Sequence, residues 1–136
     1  MPQDPVPRPA ERPLRRWTLQ LPKDAPAART ARAAVDEWLG ATSEPAGALR
    51  SVVTELVSNA VRYGRAPIQL SLEDFGDRIR VEVTDAGAGR SSARFQPRAP
   101  GRGLQIVAGL ADRWGTSADF SHAWCEVAAP APVAAD

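Results

Sequence analysis

The sequence predicts an α+β fold, a two-layer sandwich of a mostly antiparallel sheet covered on one face by about three helices. Three observations predict it. Three stretches repeat apolar residues at the three- and four-residue steps of a helix. Other stretches alternate apolar with polar residues, as strands with one covered face do. One strand pair lies in the middle of the chain and another at its end, an order that pairs neighbours antiparallel and leaves the helices to one side.

The elements follow in order. Met1 to Pro13 holds five prolines among charges and is expected to be a flexible tail. Arg16 to Leu21 alternates Trp17, Leu19 and Leu21 with polar residues and reads as a short strand. Asp24 is expected to cap a helix with Pro26 in its first turn. Ala31, Val35, Trp38 and Leu39 give that helix its apolar face, and Gly40 ends it. Ser43 and Glu44-Pro45 start a second helix, with Leu49, Val52, Val53, Leu56, Val57, Ala60 and Val61 as its stripe and Gly64 as its stop. Ile68, Leu70 and Leu72 form a strand, Asp74 to Asp77 a turn around Gly76, and Ile79, Val81 and Val83 the returning strand. Ser91 to Pro100 has no periodicity and reads as a loop. Gly101 opens a third helix, with Leu104, Ile106, Val107 and Leu110 as its apolar side; Trp114 to Phe120 and Ala123 to Val127 read as closing strands. The domain is expected over 15–128, between tails 1–14 and 129–136.

Composition narrows the function classes. The 136 residues suit one domain, with 43% apolar and 24% charged residues. A net charge of +1 gives no case for a general nucleic-acid or membrane-surface binder. Seventeen basic residues include one lysine, Lys23, which with abundant Ala and Pro points to a GC-rich genome more than to a function. The single cysteine, Cys125, excludes an internal disulfide and fits a reducing compartment. No apolar run is long enough to span a membrane, and the Pro/Arg-rich start does not read as a signal peptide. A cytoplasmic location is expected.

Three groups of residues carry chemistry. On the second helix Glu55 and Asn59 stand one turn apart, off the apolar stripe, and Arg62 continues the row. They offer an acceptor, a metal-binding amide and a phosphate-pairing cation; a solvated helix face has the same pattern. Asp85 is in phase with Ile79, Val81 and Val83, so it is expected to point toward the helices, where a carboxylate needs a partner such as an exocyclic amine. Gly87 and Gly89 after it allow close approach of a flat ligand; a turn aspartate bonding its own backbone fits the spacing equally. Gly101, Arg102, Gly103 and Leu104 open a helix whose N–H groups could converge on an anion, although plain glycine-rich helix starts look alike. No P-loop is present, no helix follows Gly87-Ala-Gly89 as a dinucleotide fingerprint requires, and one histidine (His122) and one cysteine cannot furnish a metal cluster or a Ser-His-Asp triad.

Together and in this order, the groups resemble the three boxes of the Bergerat-fold ATPases, the family shared by DNA gyrase and histidine kinases. Glu55-Leu-Val-Ser-Asn59-Ala-Val-Arg-Tyr-Gly resembles the N box, Asp85-Ala-Gly-Ala-Gly89 the G1 box and Gly101-Arg-Gly-Leu104 the G2 box. Within the family, the short length, the wording of the N box and Ala-Asp-Arg-Trp-Gly after the third helix most resemble stand-alone anti-sigma-factor serine kinases of the RsbW and SpoIIAB kind. That resemblance implies ATP and Mg²⁺ as cofactors, Asn59 holding Mg²⁺, Glu55 as general base, and Arg62 on phosphate. It implies Asp85 on the adenine amine, Gly87 and Gly89 shaping the adenine pocket, Gly101 to Leu104 bracketing the triphosphate, and a lid over 91–100. It also implies a sigma factor and a STAS-domain anti-anti-sigma protein as partners, and commonly a homodimer. The alternative is an ATP-binding module that sequesters a partner with little phosphotransfer. One departure from the pattern is Phe120-Ser121-His122-Ala123-Trp124, where relatives often carry a Gly-Lys-Thr-like run.

Overall fold

The computed structural model describes residues 11–40, 45–87, 101–118 and 120–129, with only the backbone described at 101 and 102. Expectations for the outer parts of both tails, for Ser43 and Glu44, for Gly89 and for the lid lie outside these residues, as do the side chains of Gly101 and Arg102.

The elements are β1 (Arg15–Leu21), α1 (Ala27–Leu39), α2 (Ala46–Tyr63), β2 (Ile68–Asp74), β3 (Arg78–Thr84), α3 (Gly101–Leu110), β4 (Arg113–Thr116) and β5 (His122–Ala128). The five strands form one sheet, ordered β1-β2-β3-β5-β4, and every neighbour pair is antiparallel. This is the predicted α+β sandwich. Leu70 pairs with Val83 and Leu72 with Val81, so the alternating apolar residues of the central hairpin reach the same face. The stripe of α2 from Leu49 to Ala60 is buried on that face, joined by Ala31 and Val35 of α1 and Leu104 and Val107 of α3. Burying such a stripe, more than helix propensity, holds each helix in place. Leu110 departs from the predicted stripe of α3: it stands 42% exposed, because the line of Leu104 and Val107 continues at Ala111, which packs against the core, and Leu110 falls beside it.

Helix ends depart from the prediction in one detail. Gly40 closes α1 at φ +94°, its N–H on the carbonyl of Asp36 at 2.7 Å. Asp24, however, does not cap α1 with its side chain; its carbonyl oxygen accepts the N–H of Ala27 at 3.1 Å, and Pro26 takes the N-cap position. β4 stops at Thr116 and not at Phe120: the Phe120 N–H donates to the Ser117 carbonyl at 3.0 Å, and Phe120 adopts φ +61°, outside strand conformation.

The sheet's other face is polar by register. Arg80 pairs with Glu126 and Glu82 with Trp124, and all four side chains face away from the helices. Arg80, Trp124 and Glu126 are nevertheless buried. His122 sits half-buried with Nε2 3.5 Å from Glu82 Oε2, a long contact for a hydrogen bond. Burial works to raise the Glu82 carboxyl; His122 and the Arg80 guanidinium, 3.1 Å away, outweigh it and hold Glu82 below its usual range. The folded state therefore binds that proton less readily than the unfolded chain. The contribution is complete above the ordinary carboxylate pKa and is lost as pH falls through the lower folded value. Glu82→Gln is expected to flatten the acid side of the Tm-against-pH curve and leave its shape above neutrality unchanged. Parallel acid limbs in thermal melts would reject that assignment.

The one cysteine, Cys125, is fully buried in the core, and burial pushes its thiol up to about 12, so it is an inert packing residue at neutral pH. Among the described residues no helix is long and apolar enough to cross a membrane.

Candidate functional site

The site is built along α2. The apolar stripe fixes the helix against the sheet, which turns Glu55 and Asn59 to its border with solvent, where both are half-buried. Among the described residues neither side chain has a hydrogen bond or ion pair. At that border water can hydrate both, and neither is committed to a described protein partner, so both are available to a ligand. Glu55 faces the first turn of α3: a methyl group added at Gly103 would lie 2.8 Å from Glu55 Oε1. Leu104, buried beside Gly103, anchors that turn in the core and so sets the approach. The helix starts at Gly101, so the first-turn N–H groups, which have no partner within the helix, stand at the same end. Arg62 is exposed, its guanidinium 5.8 Å from the centre of the Tyr63 ring. The described contacts do not join it to Asn59 or Glu55.

Asp85 forms the other end. It follows β3 directly and keeps the inward phase of Val81 and Val83. Its N–H donates to the carbonyl of Ser121 at 2.9 Å. Its Oδ1 accepts the N–H of Gly87 at 2.6 Å and of Arg65 at 3.3 Å. The turn reading of this aspartate is thus correct, and the inward reading is correct as well, because the other carboxylate oxygen abuts the end of α2. A methyl group at Gly64 would lie 2.4 Å from both Cγ and Oδ2 of Asp85. Gly87, at φ +44°, is held equally close: its added methyl would meet Ser121 Cβ at 2.4 Å.

Gly64, Arg65 and Ser121 escaped sequence reasoning as site residues. Gly64 announces itself only as a helix stop, and its φ of −94° is open to any residue. What excludes a side chain there is the approach of Asp85, a contact made across twenty-one positions of chain, together with the Ala60 carbonyl oxygen, 2.8 Å from an added methyl group. Gly64→Ala is expected to displace the Asp85 carboxylate and weaken adenine-nucleotide binding by roughly tenfold or more. Asp85→Asn should do so to a similar degree, as loss of one charge-assisted hydrogen bond of ~1.5–3 kcal/mol implies. Calorimetric titration with ATP and ITP checks both: wild type should prefer ATP, whose base carries the amine, and Asp85→Asn should not. Equal affinity of wild type for the two nucleotides would overturn the role of Asp85.

The arrangement suits a magnesium nucleotide. Among the described residues no three His, Cys, Asp or Glu side chains cluster to hold a metal alone. Mg²⁺ commonly takes only one or two protein ligands and fills its shell with phosphates and water, and the unpartnered Asn59 amide is suited to such a part.

Comparison with known proteins agrees. The family model for the histidine kinase-like ATPase domain matches residues 21–120, or 100 of the 136 residues. No curated protein matches the chain. The matched span runs from the last residue of β1 through α2, β3 and α3, and so takes in Glu55, Asn59, Asp85 and Gly103: the chain belongs to the histidine kinase-like ATPase family of ATP-binding domains.

Proposed function

We propose that this protein is a Mg-ATP-dependent protein serine/threonine kinase and anti-sigma factor that binds a sigma factor and phosphorylates a STAS-type anti-anti-sigma protein. The observation that carries the reading is the placement of Glu55, half-buried, without a partner among the described residues, and against the first turn of α3. Nine positions separate Glu55 from Gly64, where Asp85 abuts α2, which at ~1.5 Å per residue is about 13 Å of helix. A nucleotide laid along α2 with its base at Asp85 brings its phosphates past Asn59 to the neighbourhood of Glu55. Mg²⁺, held by Asn59 and the phosphates, would neutralise charge on the triphosphate. Glu55 would accept the proton of the attacking serine hydroxyl as its oxygen bonds to the γ-phosphorus and the bond to the β-phosphate oxygen breaks. The remaining work is positioning and charge stabilisation.

A second reading keeps the nucleotide and drops the transfer: ATP acts as a conformational ligand in a partner-sequestering module. The closing hairpin favours it, since Ser121 already packs against Gly87 where relatives often place a Gly-Lys-Thr-like run. Incubation with γ-labelled ATP and a STAS-domain partner tests both. Acid-stable phosphoserine on the partner supports the kinase. Acid-labile phosphate would point to a histidine-kinase catalytic domain acting on a separate protein. Mg-ATP binding without transfer would select the sequestering module.

A further inference from the structure

Beside Glu55 an open cavity of about 300 Å³, at the low end for ligand clefts, lies over α2 between α1 and α3. Arg32, Arg50, Ser51, Thr54, Glu55 and Ile106 line it. It extends from Glu55 toward the start of α2, as far as Gly47, whereas Asn59 and Asp85 lie toward the helix's other end. It can therefore fill while the proposed nucleotide track is occupied, and Glu55 is the wall that the two share.

The charges of this cavity do not cancel one another. Arg50 is paired, Nη1 to Asp36 Oδ1 at 2.8 Å. Arg32 donates to the Thr54 hydroxyl at 3.1 Å, and that hydroxyl donates to the Arg50 carbonyl at 2.7 Å, so the guanidinium is held in place by a neutral group. Among the described residues Arg32 has no carboxylate partner and Glu55 no cationic one. A cation stands at the α1 side and an anion at the α3 side. A simple anion satisfies the first and is repelled by the second; a simple hydroxyl satisfies only the second. A ligand that carries a carboxylate and, next to it, a hydroxyl satisfies both.

We propose that this cavity is the docking site for an acidic, hydroxyl-bearing segment of the protein substrate, its carboxylate on Arg32 and its hydroxyl turned to Glu55. The inference rests on the reading of Glu55 as the base of a kinase, and it adds the sequence character of the acceptor: serine or threonine flanked by Asp or Glu.

The test is a ¹H–¹⁵N titration of the full chain with two blocked peptides, Glu-Asp-Ser-Asp-Glu and Lys-Lys-Ser-Lys-Lys, each with and without Mg-ATP. The acidic peptide is expected to give saturable shifts at Gly47, Ser51, Thr54 and Glu55, and the lysine peptide none. Arg32→Glu should weaken the acidic peptide by roughly tenfold or more, as loss and reversal of one charged contact implies, and Arg32→Lys should keep most of the affinity. Gly47→Leu provides a variant independent of the Arg32–Thr54 bond: a Cβ there meets nothing within 4 Å, so the side chain fills the cavity without disturbing the core. Shifts elsewhere, equal shifts with the lysine peptide, or unchanged affinity in both Arg32→Glu and Gly47→Leu would overturn the docking site. Mg-ATP binding in the same samples separates the two failures. Nucleotide bound with no cavity shifts rejects the docking site alone; cavity shifts with no nucleotide bound reject the kinase reading and the bound segment's role as its substrate, and leave a site for acidic peptides.

Discussion

Glu55→Gln is expected to slow phosphoryl transfer by about 10²–10⁴-fold, the usual contribution of a positioned base, and to change Mg-ATP affinity by less than about threefold. The amide keeps the shape and hydrogen-bonding reach of the carboxylate but cannot take a proton at neutral pH. Nothing among the described residues leans on that carboxylate, so the substitution breaks no ion pair and should leave stability unchanged. Gly103→Ala is the geometric counterpart. Its methyl would arrive 2.8 Å from Glu55 Oε1, and the flexible acid must swing aside. Misplacement of a reacting group by about 1 Å can cost ~10²-fold, so Gly103→Ala should retain the base chemically and still lose rate. Single-turnover transfer from γ-labelled ATP to the STAS-domain partner proposed above measures both variants. Full-rate transfer by Glu55→Gln would sink the mechanism; wild type binding the partner and ATP with no transfer would leave Glu55 a wall of the cavity and not a base.

The parts of this molecule that are local in sequence were legible in sequence. The stripe of α2 is periodic, the β2–β3 turn carries Asp74 and Gly76, and α3 begins at the glycine that the pattern indicates. Asp85 was legible by phase alone, because strand periodicity carries on one residue beyond Thr84. What sequence could not show are contacts between distant segments. The requirement for glycine at position 64 comes largely from a carboxylate twenty-one residues later, beside the nearby Ala60 carbonyl. Arg32 reads as one more polar residue of α1 until Thr54 fixes it over the cavity. Trp124 in sequence reads equally as a core or a sheet-edge filler; register with Glu82 puts it, buried, on the polar face. The end of β4 is missed for a related reason: β propensity runs on to Phe120, but the turn back into β5 needs a residue in the left-handed region there.

Arg80→Ala is expected to destabilise the fold by roughly 3–5 kcal/mol, the range for breaking a buried ion pair from one side, out of a total of about 5–15 kcal/mol for a domain. Arg80 is 2% exposed, and its guanidinium bonds Glu82 at 3.1 Å and Glu126 at 3.3 Å while lying 4.4 Å from the Trp124 ring centre. Removal acts through each of these neighbours. Glu126 keeps Arg78 Nε at 3.3 Å and Arg113 Nη1 at 3.5 Å, so it is not stranded, but it loses one of three cations in a dry setting. Among the described residues Trp124 keeps the more distant Arg113, at 5.7 Å, over its ring, and its buried Nε1 has no hydrogen-bond partner and gains none. The void left by the side chain adds a packing term. Arg80→Met separates packing from charge. It fills most of the volume and carries no charge, so if desolvation of the guanidinium offsets much of its Coulomb gain, Met should recover half or more of the loss. Guanidinium chloride unfolding of wild type, Arg80→Ala and Arg80→Met at neutral pH decides the matter. A loss below about 1 kcal/mol for Arg80→Ala would mean that the cluster behaves as a surface ion pair, and that the sheet's polar face contributes little to holding β3 against β5, the strand that carries Ser121 to Asp85.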